Sequence, residues 1–562
     1  MDGDQNSKFF HNVIGQRRIN SSVKSIRLQD KTLLESMQRV YKGAMRYFEE
    51  FLSQEDSVVM PDLSELLDSA FSDEVVARLQ EIRAETDVYE ALASIAADNN
   101  SGLDGFSSIF YLDCWDLIKL DVMEAVKEFY LGGELSKFYT SSFIVLIPKI
   151  KSPQGFDKFR PISLYNVIYK VFSKTLVAKL SLVLRDIISQ EQGVFVKGHS
   201  IFENVTLVQE MTKALHRKVR GENVMLKLDM SKAYDLVDWR FLEHVFRAMC
   251  FPEFFSRLVF RCVLTPWYSI MIYGTFKGLF KSKRGLRQGD LLSLYLFIML
   301  EEVFSLLLNK RMSERGISHF CLPAGAPRIT HLLYADDVVI FSNASKRSIR
   351  CLMSVLNDYE KWSGQWVNHE KSAIFFSKKL SLCRKRDILN ETRFVEGHFP
   401  FVYLGVPIVD GKFKACHFGP LLGKMGRKVS GRKSRLLSQG GLLILLRHFL
   451  SSMPMNLLST LNLPNLVFKK LQGLFANFFW GEQDDKSKWK WRAWKKLCVP
   501  VKEGGIVVRD LEEVQKSLFL KFRWNLLTKN SLWAKFFRAK YVKHGILCLI
   551  MRLARALCSG KA

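Results

Sequence analysis

An α+β fold is predicted by two kinds of pattern that take turns along this chain of 562 residues. Short β-rich runs at residues 143–149, 224–229, 329–333 and 338–341 each include or adjoin a charged side chain. Longer stretches repeat apolar residues at three- and four-residue steps, as do Leu34, Met37, Val40, Tyr41, Met45 and Phe48.

Size and charge narrow the function. The length allows roughly three or four domain-sized units. An apolar fraction of 48% with 25% charged residues is that of a folded protein. Lys and Arg number 83 against 56 Asp and Glu, a net charge of +27. A surplus of that size points to a polyanionic partner, nucleic acid ahead of a membrane surface, with an inert basic surface as the plain alternative. Cysteines are scattered without any C-x-x-C pair, which disfavours zinc and a disulfide framework and suits a reducing compartment. Glu301, Glu302 and Arg447 interrupt the most apolar windows, so no membrane-spanning run is expected. The polar, acidic start at residues 1–5 predicts no secretory signal. HExxH, P-loop and dinucleotide-binding signatures are not found.

In chain order, a helix is predicted near residues 33–51, and the turn cluster at 99–105 closes the first region. The run 143–149 ends in Pro148-Lys149, and Arg160 follows eleven positions later. Pro161 biases Arg160 toward extended backbone. A hairpin carrying both cations could clamp a triphosphate, Lys as a point charge and Arg by its fork; two ordinary surface cations fit equally well. Next comes a helix with Ile168, Val171, Phe172, Leu176, Leu180, Leu184 and Ile187 on one face. Lys170, Lys174 and Lys179 lie off that stripe and predict a solvated basic face.

Residues 224–229 read as a strand that delivers Asp229 at its end. That acid either caps a helical-looking stretch at 230–235 or joins a distant acidic site. The segment Arg284-Gly285-Leu286-Arg287-Gln288-Gly289-Asp290 opens a long apolar stretch reaching about residue 308. Asp290 is its expected N-cap, and Arg287 and Gln288 at that terminus favour an anion or a base-paired substrate. Tyr334-Ala335-Asp336-Asp337 predicts a tight turn between two strands with two carboxylates at its tip. Like charges so placed repel unless a cation lies between them, and oxygen-only ligation suits Mg²⁺ and phosphates, although acids favour turns in any case. Residues 364–372 are polar and turn-rich, and Tyr403-Leu404-Gly405 lies in a short apolar hairpin candidate. Beyond 410, residues 424–435 hold six basic residues and no acid; 486–496 hold six more, interleaved with Trp489, Trp491 and Trp494. Such a mixture can grip phosphates and stack on bases, or be a basic helix with its tryptophans turned into a core.

Taken together, the ordered blocks resemble a reverse transcriptase, and most closely those of non-long-terminal-repeat, LINE-like retrotransposons of plant type. The blocks are Leu146-Ile147-Pro148-Lys149, Phe159-Arg160-Pro161-Ile162-Ser163-Leu164, Leu228-Asp229 through Tyr234-Asp235, Arg284 through Asp290, Tyr334-Ala335-Asp336-Asp337, Gly364-Gln365 with Asn368 and Lys371, and Tyr403-Leu404-Gly405. Trp491, Trp494, Leu497-Cys498, Pro500, Gly504-Gly505 and Arg509-Asp510-Leu511 extend the likeness to about residue 530. The resemblance implies a right-hand polymerase: a helical N-terminal extension over 1–97, fingers and an antiparallel palm over 98–410, and a basic helical thumb and C-terminal region over 411–562.

It also implies roles. Asp229, Asp336 and Asp337 would hold two Mg²⁺ ions, with Mn²⁺ as a substitute. Lys149 and Arg160 would hold the incoming dNTP, Tyr234 would crowd the sugar 2′ position, and Gln288 and Gly289 would border the nascent base pair. Lys371 would lie near the phosphates, and Tyr403, Leu404 and Gly405 would form the primer grip. The implied partners are an RNA template, a DNA primer, dNTPs and a separate endonuclease, in a nuclear or cytoplasmic ribonucleoprotein with no membrane. An endonuclease domain ahead of the polymerase is not expected here. Leu291 and Leu294 stand where related elements carry proline, a change expected to cost a few tenths of a kcal/mol. A catalytically idle remnant that still binds nucleic acid is the competing expectation.

Overall fold

The strand Asn223–Ser231 is buried on both faces over its first half, and the fold is built around that property. Val224, Leu226 and Leu228 enter one core, while Met225 enters another from the opposite face. The computed structural model describes residues 25–542 apart from 29–30, 55–57, 68–70, 82, 98, 100, 103, 134, 151–152, 273, 315, 323–324, 430–436, 484–485 and 488. In it the strand is central to a six-stranded sheet, flanked by Asp337–Asn343 and Ala373–Phe376, both antiparallel. His331–Tyr334 and Val395–Glu396 lie outside these, and Trp366–Val367 pairs with the end of the central strand. The neighbouring strand keeps the same alternation: Val338 and Ile340 face the first core, Val339 and Phe341 the second.

Helices cover both faces. Val167–Ile187, Trp239–Ala248, Leu291–Ser313 and Lys346–Ser363 form the first core; Ile201–Ala214 and the helices Asn465–Trp480, Leu511–Thr528 and Leu532–Tyr541 contribute to the second. A separate four-stranded sheet runs in the order Phe159–Tyr165, Ser141–Pro148, Trp267–Ile272, Thr275–Lys281. It is antiparallel except where Ser141–Pro148 meets Trp267–Ile272. Helix Met37–Ser53 lies on it, packing Val40, Tyr41, Ala44 and Phe48 against Ile144, Leu146, Tyr268 and Ile270. The architecture is α+β. The helix starts later than the periodicity predicts, because Ser36 caps it through Arg39 N–H and Leu33–Leu34 pairs with Ile26–Arg27 as a strand.

Three expectations are corrected. Lys170, Lys174 and Lys179 do not form a solvated face, because helices Asp73–Gln80 and Glu85–Ala93 pack there. Lys179 is fully buried, donates to the carbonyls of Leu79 and Glu81 at a helix C-terminus, and lies 4.9 Å from the Tyr130 ring centroid. Burial pulls its ammonium down to about 8. Second, Glu301 and Glu302 do not interrupt the apolar run: helix Leu291–Ser313 is long and apolar enough to cross a membrane, and both acids are buried within the fold. Third, Asp229 caps no helix; the strand continues to Ser231 and the next helix is capped by Asp238. The N-terminal residues 1–24, the end from 543 onward with Cys548 and Cys558, and part of the basic run 424–435 lie outside the described residues.

The C-terminal helix is fastened to the second core by a buried carboxylate. Glu210 meets Lys213 at 2.7 Å, Lys540 at 2.6 Å and the hydroxyl of Tyr541 at 2.7 Å. Burial opposes its charge, yet the two lysines hold the carboxyl below its usual range. Lys540→Met leaves that charge half-compensated, so a loss of about 3 kcal/mol is expected in urea unfolding. A variant unfolding at the wild-type midpoint would show that the clasp contributes nothing.

Candidate active site

The strand ladder sets Asp229 directly opposite Asp337. Cα atoms so paired lie about 4.5–5.5 Å apart, and both side chains stay about one-third exposed. Asp336 sits at the turn between His331–Tyr334 and Asp337–Asn343, where Ala335 takes φ 50°. Burial around the turn, with Asp337 and Asp229 as like charges, pushes the Asp336 carboxyl above its ordinary range, and Arg160 works the other way. Lys227 lies 3.4 Å from Asp337 and Lys371 3.7 Å from Asp229. Among the described residues the acids do not close into a ready-made group of three metal ligands.

Two further segments fix this corner. Asn368 N–H donates to the Asp229 carbonyl at 2.8 Å, and Ser372 Oγ accepts from Asp229 N–H at 3.1 Å. Residues 364–372 therefore clamp the strand that carries the first acid. From the other side, Gly193 N–H and Asn204 Nδ2 donate to the Leu333 carbonyl at 2.8 Å each, and Gln192 Oε1 accepts from Ala335 N–H at 3.4 Å.

The predicted cations gather at the same opening. Ile147 pairs with Arg160 at the end of the hairpin, and Lys149 follows it with Nζ donating to the Asp157 carbonyl at 3.2 Å. Burial lowers the Lys149 ammonium; Asp235 opposes this, while Lys371 and Arg160 reinforce it as nearby like charges. Gln288 donates to Asp235 at 2.8 Å, and burial raises that carboxyl to about 6. Gly289, at φ 103°, is exposed beside Gln288. Tyr234 is half-buried, stacked on Phe297 at 4.6 Å, and its hydroxyl is raised by burial and then by Asp336 and Glu301.

Other predicted residues sit differently. Arg287 does not line an open helix terminus: it is buried 4.2 Å from the Tyr169 ring centroid and donates to the Thr140 carbonyl at 2.8 Å. Asp290 closes that terminus through Leu292 N–H, with Leu291 in the first turn. Tyr403 is fully buried beneath the acidic turn, so Leu404 and Gly405, both at positive φ, form the tip of their hairpin. Of the tryptophans, Trp489 and Trp491 are each 79% exposed, whereas Trp494 packs against Phe475 at 6.0 Å. Trp494 is thus the one of the three turned into a core, and the helix begins only there.

Residues 147–408, a span that holds all three acids, match the family model described as reverse transcriptase (RNA-dependent DNA polymerase). Residues 147–408 are a reverse transcriptase domain. The chain is 24% identical over 546 residues to the uncharacterized 149 kDa protein of transposon TX1 from Xenopus laevis, covering 92% of the chain and 39% of that protein. It is 24% identical over 422 residues to the Pol polyprotein of the R2DM retrotransposable element of Drosophila melanogaster, covering 70% and 37%. An uncharacterized mitochondrial protein of Arabidopsis thaliana is 36% identical over 110 residues, 19% of the chain and 86% of that protein. The chain thus spans under two-fifths of the two longer relatives.

Sequence reasoning missed Gln192, Asn204 and Asp235. Gln192-Gly193 stands where a turn ends, but its partner lies some 140 residues away. Asp235 was read as part of a motif with no task of its own, and its tie to Gln288 is a tertiary contact.

Proposed function

We infer that this chain is the RNA-directed DNA polymerase of a non-long-terminal-repeat retrotransposon, adding nucleotides from dNTPs to a primer 3′-hydroxyl on an RNA template. One observation carries the reading: the ladder that opposes Asp229 to Asp337, with Asp336 at the adjoining turn, Arg160 and Lys371 near those acids and Lys149 near both cations. The donor set is all carboxylate oxygen, partly open to solvent and self-repelling, which fits Mg²⁺, or Mn²⁺ as a substitute. Asp229, Asp336 and Asp337 would hold two such ions, which supply charge neutralisation for an in-line displacement at phosphorus.

The chain's own groups do the rest. Lys149 and Arg160 hold the triphosphate from the fingers sheet, and Lys371 takes a phosphate oxygen once it leaves Asp229. Tyr234 blocks the sugar 2′ position. Gln288, anchored by Asp235, and Gly289, with no side chain, border the nascent base pair. The Leu404-Gly405 tip supports the primer, with Tyr403 as its buried footing. The four-stranded sheet with the N-terminal helices corresponds to fingers, the six-stranded sheet to palm, and residues after 410 to thumb and template surface. A nuclear or cytoplasmic ribonucleoprotein setting belongs to this reading.

Primer extension by the purified chain on an RNA template with dNTPs and Mg²⁺ tests it. Template-dependent incorporation is expected; nucleic-acid binding without incorporation would favour an idle remnant, and dNTP-independent degradation would favour a nuclease. The exposed indoles add a second expectation. Trp489→Ala with Trp491→Ala should weaken single-stranded nucleic-acid binding by about tenfold or more, because each stacked base contributes roughly 1–3 kcal/mol. Fluorescence anisotropy across a KCl series should show that loss with an unchanged salt slope, since no cation is removed.

A further inference from the structure

Below Tyr234, side chains that never reach the cleft join helix Leu291–Ser313 to the turn at residues 232–236. Glu301 is fully enclosed, with Oε1 3.4 Å from the hydroxyl of Tyr359. That hydroxyl lies 2.7 Å from Gln365 Oε1, and Gln365 Nε2 donates to the Ala233 carbonyl at 3.1 Å. Tyr359 and Gln365 are as buried as Glu301. Ala233 directly precedes Tyr234, whose ring stacks on Phe297, one helical turn before Glu301.

Counting protons orients this path. The amide of Gln365 uses its N–H on Ala233, so its oxygen faces Tyr359 and can only accept. The Tyr359 hydroxyl must therefore give its single proton to Gln365, the shorter of its two contacts. What remains for Glu301 is to donate to the Tyr359 oxygen as a carboxylic acid. Its other oxygen is buried with no hydrogen-bond partner among the described residues, which an ionised carboxylate would not tolerate. The path then runs one way, from Glu301 through Tyr359 and Gln365 to the backbone beside Tyr234.

We propose that Glu301, Tyr359 and Gln365 are positioning residues that set the height of the Tyr234 ring and so the strictness with which the site rejects a ribose 2′-hydroxyl. The inference rests on the polymerase reading and deepens it. Single-nucleotide incorporation of dCTP and CTP by the full chain measures it as a ratio of kcat/KM values. Tyr359→Phe, which keeps the ring in the core, and Gln365→Leu should each reduce the preference for dCTP roughly five- to tenfold, the factor of one lost buried hydrogen bond. Most of the change should come from a lower KM for CTP, with dCTP incorporation within about twofold of wild type. Glu301→Gln keeps an N–H for the Tyr359 oxygen and should retain wild-type selectivity, whereas Glu301→Leu should match Tyr359→Phe. Active variants with unaltered selectivity would overturn the inference. So would a parallel loss with both nucleotides, which is what a merely structural role predicts. A wild-type chain that extends no primer would sink the polymerase reading and this inference with it.

Discussion

Asp336→Asn is expected to reduce primer extension about a hundred- to a thousandfold and, in the same molecule, to raise the midpoint of urea unfolding. The first effect follows if its charge stabilises the reacting phosphate from a preorganised position, where one such group is worth roughly 3–4 kcal/mol in the barrier. The second follows from its neighbours. Burial, Asp337 and Asp229 all disfavour the ionised Asp336, and Arg160 offsets them in part. An amide of the same shape removes that repulsion, so the change should help the fold while harming the chemistry. Asp229→Asn lacks a matching gain, because Lys371 stands 3.7 Å from that carboxylate and would lose its counter-charge. Primer extension and urea melts on both variants check the pair of effects. An Asp336→Asn protein that keeps more than a tenth of the wild-type rate would remove this acid from the reaction.

Stability should fall as pH rises from about 5 to about 8, and Glu301→Gln should remove part of that slope. Burial pushes the Glu301 carboxyl up to about 8, with Asp336 adding to the rise, whereas an unfolded glutamate titrates near about 4.3. Between those values the folded chain keeps a proton that the unfolded chain has released. Its contribution is complete below the unfolded value and disappears as pH passes the folded one, by about 1.4 kcal/mol per pH unit. Glu302, also pushed to about 8 by burial, acts in the same direction, although Ser189 N–H and Oγ both donate to it at 2.9 Å. Urea unfolding at pH 5.5, 6.5 and 7.5 should give a variant line flatter than wild type by about that increment. Parallel lines would mean that Glu301 ionises without cost, against the proton count described above.

The acidic turn, the strand before it and the hairpin cations could be read from the chain because each is a local pattern with a chemical purpose. Asp229 could not be settled locally, since the residues after it suit a helix as well as a strand. Pairing with Trp366–Val367, more than 130 positions on, decides the matter. Lys179 looked solvated because nothing nearby in sequence announces the helix ends whose carbonyls it caps. Arg287 suggests a ligand group by its residue type, whereas its guanidinium fills a space between Tyr169 and Thr140. Glu301 and Glu302 counted as breaks in an apolar run because residue type does not reveal protonation state. Gln192 and Asn204 brace the acidic turn through backbone contacts, which leave no periodic trace.

The two-sided burial of the strand Asn223–Ser231 makes one wall serve both halves of the molecule. Opening of either core strips one face of that strand, so the unfolding of the two cores should be coupled. A chain shortened ahead of the C-terminal helices would bare the side of helix Ile201–Ala214 that carries Phe202, stacked on Phe522 at 3.5 Å and set against Trp533 at 5.1 Å, a greasy surface that invites aggregation long before catalysis is at stake.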